Sequence, residues 1–222
     1  MNARSLAVFG LVCAFALTCF SNLVAQELKP IKLSPPDLSK SKPLMQVLKD
    51  RHTDREFSPD KLPVEVLSNL LWAAAGINRP ESGKRTSPTA QNKQEIDTYV
   101  STAEGIYLYD PKENILKPMV AGDLRSYTGT QDFVKDAPVN LVYVADVTKM
   151  SDRPEVDKMM WAGADTGFIS ENVYLFCASE GLATVVRANV DRPKLAEVMK
   201  LRPDQKITFT QTIGYPKSGK AK

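Results

Sequence analysis

An α+β domain is the fold class this sequence predicts, and three observations point to it. Val139 to Val147 is a dense, Val-rich apolar run of the kind that forms a central strand. Ile96 to Ala103 and Gly105 to Tyr109 are short segments rich in β-branched and aromatic residues, bounded by turn residues. A long apolar helical pattern then spans about Pro154 to Glu180, with Gly163 and Gly167 inside it and Gly181 placed to close it. No internal repeat or low-complexity segment competes with this reading.

The remaining elements follow in chain order. The first 25 residues carry one charge, Arg4, and a nearly continuous apolar run from Leu6 to Phe20. A polar break and a small residue, Ala25, come next. This is the arrangement of a secretory signal peptide cleaved after Ala25, and the run is short for a membrane span. An uncleaved anchor and a lipid-modified Cys19 are the alternatives, and Ala16-Leu17-Thr18 is a poor lipidation sequence. The mature chain is therefore expected outside the cytoplasm, periplasmic or extracellular, with no stable membrane span.

Residues 26–43 hold Pro30, Pro35, Pro36 and Pro43 among lysines and serines, and read as an extended arm or linker. A short helix is expected over Leu44 to Asp50. A second runs on from Pro63 with Val66, Leu67, Leu70, Leu71 and Ala74 at helical spacing, ending at Gly76. Asn78 to Gln94 is polar and reads as one long loop, a length that in compact domains is usually functional or disordered. Asp110-Pro111-Lys112-Glu113-Asn114 turns into a strand near Leu116. A short strand at Val185-Val186, a short helix from Pro193 to Met199 and a last strand from Lys206 to Ile213 complete a domain over residues 44–222.

Composition excludes several classes. Of 222 residues, 43% are hydrophobic and 25% charged, with net charge +3 from 29 basic and 26 acidic side chains. That balance gives no sign of nucleic-acid binding. His52 is the only histidine, so His-rich metal sites are excluded and no metal is expected. Gly214 to Ala221 resembles a phosphate-binding loop but has Ala221 where a hydroxyl must hold magnesium. Signal cleavage would leave Cys177 as the one cysteine, in an apolar helical pattern that favours a buried structural thiol over a catalytic one.

Three segments in this order resemble the FMN-dependent nitroreductase family: Arg51-His52-Thr53-Asp54-Arg55-Glu56-Phe57, Pro88-Thr89-Ala90-Gln91-Asn92-Lys93-Gln94, and the stretch Gly163 to Pro216. The last contains Ser170-Glu171-Asn172, Gly181-Leu182-Ala183-Thr184, Asp191 and Ile213-Gly214-Tyr215-Pro216. Leu108-Tyr109-Asp110-Pro111 further resembles the subgroup that includes the azoline dehydrogenases. The resemblance implies a central, mostly antiparallel sheet flanked by helices. It also implies a homodimer in which the C-terminal strand or the N-terminal arm contributes to the partner.

It further implies an oxidoreductase passing two electrons from a donor to an electron-poor small-molecule acceptor by a ping-pong cycle, with FMN as cofactor and NAD(P)H as the usual donor. A substrate dehydrogenase related to the azoline enzymes and a non-catalytic flavin binder are the alternatives, and export leaves room for a separate redox partner. No side chain need act as a catalytic nucleophile or base. Arg51 offers a planar fork suited to phosphate. His52 stands beside it, and Thr53 offers a hydroxyl to ribityl or phosphate oxygens. Arg55, two residues on, points the same way and by resemblance lies near the ring's pyrimidine edge. Pro88, Thr89 and Ala90 shape the loop that presents Asn92 to the ring. Backbone N–H groups near Val185 and Val186 would face its N5 and O4. Lys217, with Lys220, would add charge at the phosphate or be no more than a basic terminus. Departures from the pattern are Thr53 and Thr89 for serines, Ala183 for a glycine, and lysines alone after Tyr215.

Overall fold

The Val-rich run forms the strand β7 (Val139–Asp146), and all eight of its residues are buried. A strand closed off from solvent on both faces needs a layer on each side. Its side chains alternate accordingly: Val139, Leu141, Tyr143 and Ala145 enter one apolar cluster, Val142 and Val144 a second on the opposite face. A computed structural model of the chain describes residues 27–39 and 42–217. The expected signal segment and Lys220 lie outside the described residues.

The other strands are β1 (Ile31–Lys32), β4 (Ile96–Ser101), β5 (Gly105–Asp110), β6 (Ile115–Ala121), β8 (Ala183–Arg187) and β9 (Gln205–Gly214). They join β7 in one sheet of order β1-β6-β5-β4-β7-β9-β8, every pairing antiparallel. Four helices cover it: α1 (Leu44–Asp50), α2 (Val64–Ala75), α3 (Glu155–Glu180) and α4 (Arg192–Val198). On one face α2 and α3 bury Leu70, Leu71, Ala162, Ile169, Val173 and Cys177 against the sheet. On the other, Leu195 of α4 packs with Tyr99, Ile106 and Met199. The fold class is therefore the expected one.

The 26-residue α3 sits at the centre of the arrangement. Its buried residues Ala162, Asp165, Thr166, Ile169, Ser170, Val173, Tyr174 and Cys177 recur every three to four positions, which is one face of an α-helix. Gly181 ends it in the left-handed conformation at φ 71°, where a side chain would be strained. Burial pushes the Cys177 thiol well up, so it is an inert core group, as its helical context suggests. Asn172 Nδ2 donates to Ala73 O at 3.0 Å and ties α3 to α2.

Two expectations differ from what is found. The N-terminal arm lies on its own sheet: Ile31 pairs with Leu116, Leu33 is buried, and Asn114 Nδ2 donates to the carbonyls of Leu33 and Ser34. Proline blocks helix here but leaves an edge strand open, so a proline-rich arm can still join a sheet margin. The C-terminal strand β9 lies inside the same sheet, between β7 and β8. The polar stretch after α2 is not one loop either. It starts with a small hairpin of β2 (Ile77–Arg79) and β3 (Lys84–Arg85), turned by Gly83 at φ 63°.

Exposed large apolar side chains remain on two helices: Leu44, Met45 and Leu48 of α1, and Val156, Met159, Met160 and Phe168 of α3. Among the described residues no helix is long and apolar enough to cross a membrane.

Because α3 is held by its apolar stripe, Ile169→Ala should cost about 2–5 kcal/mol in urea unfolding through the cavity it leaves. A change below about 0.5 kcal/mol would mean that α3 does not carry the core.

Candidate functional site

Two sequence-distant segments hang from buried polar side chains of α3. The first is the basic cluster. Arg51 N–H donates to Val47 O at 2.8 Å, ending α1 and sending the chain outward in extended form. Asp54 N–H donates to Thr184 O at 3.0 Å, so the cluster runs along the open edge of β8. Phe57 bridges to Pro216 and is buried with Ala183 and Val185. Between these two fixings, Thr53 Oγ1 lies 3.1 Å from the Tyr174 hydroxyl of α3. The Arg51 guanidinium stands 5.3 Å from the centre of the Tyr174 ring.

The Tyr174 hydroxyl also accepts from Val186 N–H at 3.0 Å. With its lone pair engaged there, its own hydrogen can go to Thr53, whose hydrogen is then left to face outward. Neither Arg51 nor Arg55 is paired with a carboxylate among the described residues. His52 is engaged locally: one ring nitrogen faces Asp50 O, the other lies 2.7 Å from Asp54 Oδ2. His52, Arg55 and Lys217 line a cavity of about 330 Å³ together with Asp50, Asp54 and Glu56. A neighbouring cavity of about 400 Å³ is lined by Phe57 and Lys217, and the other larger ones lie away from the cluster.

The second segment is the loop at Pro88–Gln94. Ala90 N–H donates to Asp165 Oδ2 of α3 at 3.0 Å. Thr89 Oγ1 accepts from Gln94 N–H, and Gln94 Nε2 donates to Asn92 Oδ1 and Gly83 O, all at 3.0 Å. These bonds hold three non-glycine residues in the left-handed region: Gln91 at φ 54°, Asn92 at φ 56° and Gln94 at φ 49°. Such strain persists only where the surroundings over-determine it, and it concentrates at ligand sites. Asn92 is exposed and has its oxygen occupied, so its amide N–H donors are presented outward. Pro88 is exposed, leading into this turn.

Asp165 and Tyr174 are nine residues apart, about 13 Å along the axis and half a turn apart around it, at the two margins of the buried stripe of α3. One rigid element therefore spaces the cation-and-hydroxyl end from the amide end. Arg51 and Thr53, half-buried beside Tyr174, and the exposed Asn92 suit a ligand with an anionic group at one end and carbonyls at the other. That donor set fits FMN.

Val185 and Val186 depart from expectation. The Val185 backbone pairs with Thr212 of β9, and Val186 N–H is already satisfied by the Tyr174 hydroxyl. The three residues that sequence reasoning misses are Tyr174, Asp165 and the buried Glu95. A signal existed for the two helical ones: Asp165 and Tyr174 fall in the buried stripe of α3, where a charged group needs a partner.

Comparison with known proteins matches this geometry to one family. The Nitroreductase family model matches residues 48–215. A candidate nitroreductase of Methanocaldococcus jannaschii is 28% identical over 183 residues, covering 78% of this chain and 91% of that protein. The crystal structure of a candidate nitroreductase from Ralstonia eutropha JMP134 is 43% identical, covers 88% of this chain and 93% of that one, and superposes with a TM-score of 0.84. The NADPH:FMN oxidoreductase of Vibrio harveyi shares the fold at 17% identity, covering 81% and 72% of the two chains, with a TM-score of 0.58. With matched residues running from α1 through the end of β9, the chain belongs to the nitroreductase family.

Proposed function

We propose that this protein is an exported nitroreductase-family oxidoreductase that holds FMN across the face of α3 and works as a homodimer. The observation that carries the reading is the pair of segments anchored on Tyr174 and Asp165, which set unpaired cations at one end and free amide donors at the other. FMN and NAD(P)H are the cofactor and donor that family membership implies. Bound FMN supplies the two-electron chemistry, accepting from a donor and then passing to an electron-poor acceptor in a ping-pong cycle.

The chain's own residues bind, orient and tune. Arg51 clamps the phosphate, held over Tyr174 so that little side-chain freedom is lost on binding. Thr53 offers its outward hydrogen to phosphate or ribityl oxygens. Asn92 directs its amide at the ring's carbonyl and imide edge. Arg55 places a fixed positive charge that favours the reduced, anionic cofactor and so raises its potential. Lys217, whose N–H donates to Glu56 O at 3.3 Å, adds charge beside the cluster.

The exposed apolar side chains of α1 and α3 support the dimer, since monomers rarely leave large apolar patches uncovered. The leader-like first 25 residues support export, and NAD(P)H is scarce outside the cytoplasm. After export, a dehydrogenated substrate or a separate redox partner in that compartment would stand in for NAD(P)H as donor. The Leu108-Tyr109-Asp110-Pro111 hairpin favours the first, a substrate dehydrogenase related to the azoline enzymes.

Purified protein should be yellow, or become so on adding FMN; a colourless protein that takes up none removes the reading. Arg51→Ala should raise the FMN dissociation constant about 10- to 100-fold by titration calorimetry, the range for losing a charge-assisted contact, with Arg51→Lys recovering only part. Tyr174→Phe orphans Val186 N–H and releases Thr53, so it should lower folding stability by about 1 kcal/mol and weaken FMN as well. Unaltered FMN affinity in that variant would detach Tyr174 from the site. Sedimentation should give a dimer, and Met160→Glu should shift it to monomer.

A further inference from the structure

Glu95 opens β4's approach to the core and is fully buried, with 0% of its surface exposed. Its carboxyl oxygens meet no N–H or hydroxyl donor from any other described residue. An ionised carboxylate in that position would be a bare charge in the interior, which proteins do not keep. The group that faces it is another acid, Asp165 of α3. Two carboxyl groups are both acceptors until one carries a proton, and a single proton then turns the contact into a hydrogen bond.

Asp165 is the same residue whose Oδ2 accepts from Ala90 N–H. Ala90 lies one residue before the left-handed pair Gln91 and Asn92, and Glu95 follows left-handed Gln94. The strained loop is thus fastened at both ends to one carboxyl pair. We infer that Glu95 is kept protonated and donates to Asp165, and that this shared proton is the positioning element that holds Asn92 toward the flavin. What the loop does rests on the FMN reading above; the proton-sharing pair stands without it.

Among the described residues, two cations act on Glu95. Lys149, on the turn after β7, is the cation nearest in effect, but its ammonium is engaged by Gln94 O at 3.1 Å and Asp97 Oδ1 at 3.2 Å. Arg85 of β3 faces Glu95 and also Asp97, Tyr109 and Asp110, so its charge is shared among several acids. Arg85 forms no ion pair among the described residues, and its buried Nε meets no acceptor, so it acts on Glu95 only through space. Burial, with Asp165 adding to it, pushes the Glu95 carboxyl up to about 7 from an ordinary value of 4.5. A raised carboxyl binds its proton more tightly in the folded protein. Stability from the pair is complete below about pH 4.5 and is lost as pH rises through about 7.

The test compares the full protein with Glu95→Gln and Asp165→Asn, each a neutral amide that keeps a donor facing an acceptor without needing a proton. FMN affinity and the melting temperature of the FMN-free protein are measured from about pH 6 to about pH 8.5. If only the protonated form holds the loop, the wild-type to Gln-variant ratio of FMN dissociation constants rises about 10- to 30-fold over that range. The flavin phosphate titrates alike in both proteins and cancels. The FMN-free wild type should lose melting temperature toward pH 7 relative to both variants. A ratio that stays flat overturns the positioning role, and parallel melting profiles overturn the shared proton. Protein that binds no FMN at any pH defeats the cofactor reading and with it the loop's role, while the melting profiles still decide the pair.

Discussion

Polar side chains buried along the two margins of α3's core stripe are the constraint on which the candidate site depends. Tyr174 and Asp165 lie in a stripe otherwise made of Ala162, Ile169, Val173 and Cys177, where every polar atom must find a partner or cost stability. Each finds it in the backbone or hydroxyl of a segment far away in sequence: Val186 and Thr53 for Tyr174, Ala90 for Asp165. Satisfying the core and shaping the surface loops are one event. Loops of this composition could not adopt three left-handed non-glycine conformations without such fixings.

The sheet makes α3 rigid enough to serve as that ruler. Its core strand β7 is closed on both faces, and the bulge in its pairing with β9 between Val142 and Val144 keeps Ile207 on the α4 side. Gln211 of β9 reaches the α3 face instead, donating to Ser170 O and accepting from the Tyr143 hydroxyl. The helix is therefore registered on the sheet by directional bonds as well as by apolar packing. Catalytic chemistry that resides in a cofactor needs this more than it needs reactive side chains, because the protein's contribution is position and charge.

Much of this was legible in the sequence where pattern is local. The apolar run of β7, the helical stripe of α3 with Gly181 behind it, and α1 at Leu44 to Asp50 emerge within a residue or two of their expected places. The basic cluster and the Asn92 loop were legible through resemblance, as segments. What holds them was not. Tyr174 looks like one more large residue in an apolar stripe, and Glu95 like an ordinary charge at a strand start; only the fold sets them against Thr53 and Asp165. The strand pairing inside the extended arm was not legible for the same reason, since the partner of Ile31, Leu116, is more than eighty residues away and edge pairing leaves no periodic mark. Val186 shows the converse. Its amide belongs to an open sheet edge, which suggests availability, yet the edge is closed by a hydroxyl from the helix beneath.

The central claim is that the Tyr174 and Asp165 fixings grip one and the same flavin. Amide hydrogen exchange at Val186 and Ala90, followed as FMN is added, tests it most directly, because each amide reports one fixing. The account predicts that both slow together, along a single saturation curve with one FMN per chain. Protection that rises at one amide and not the other, or at neither while FMN still binds, would contradict it.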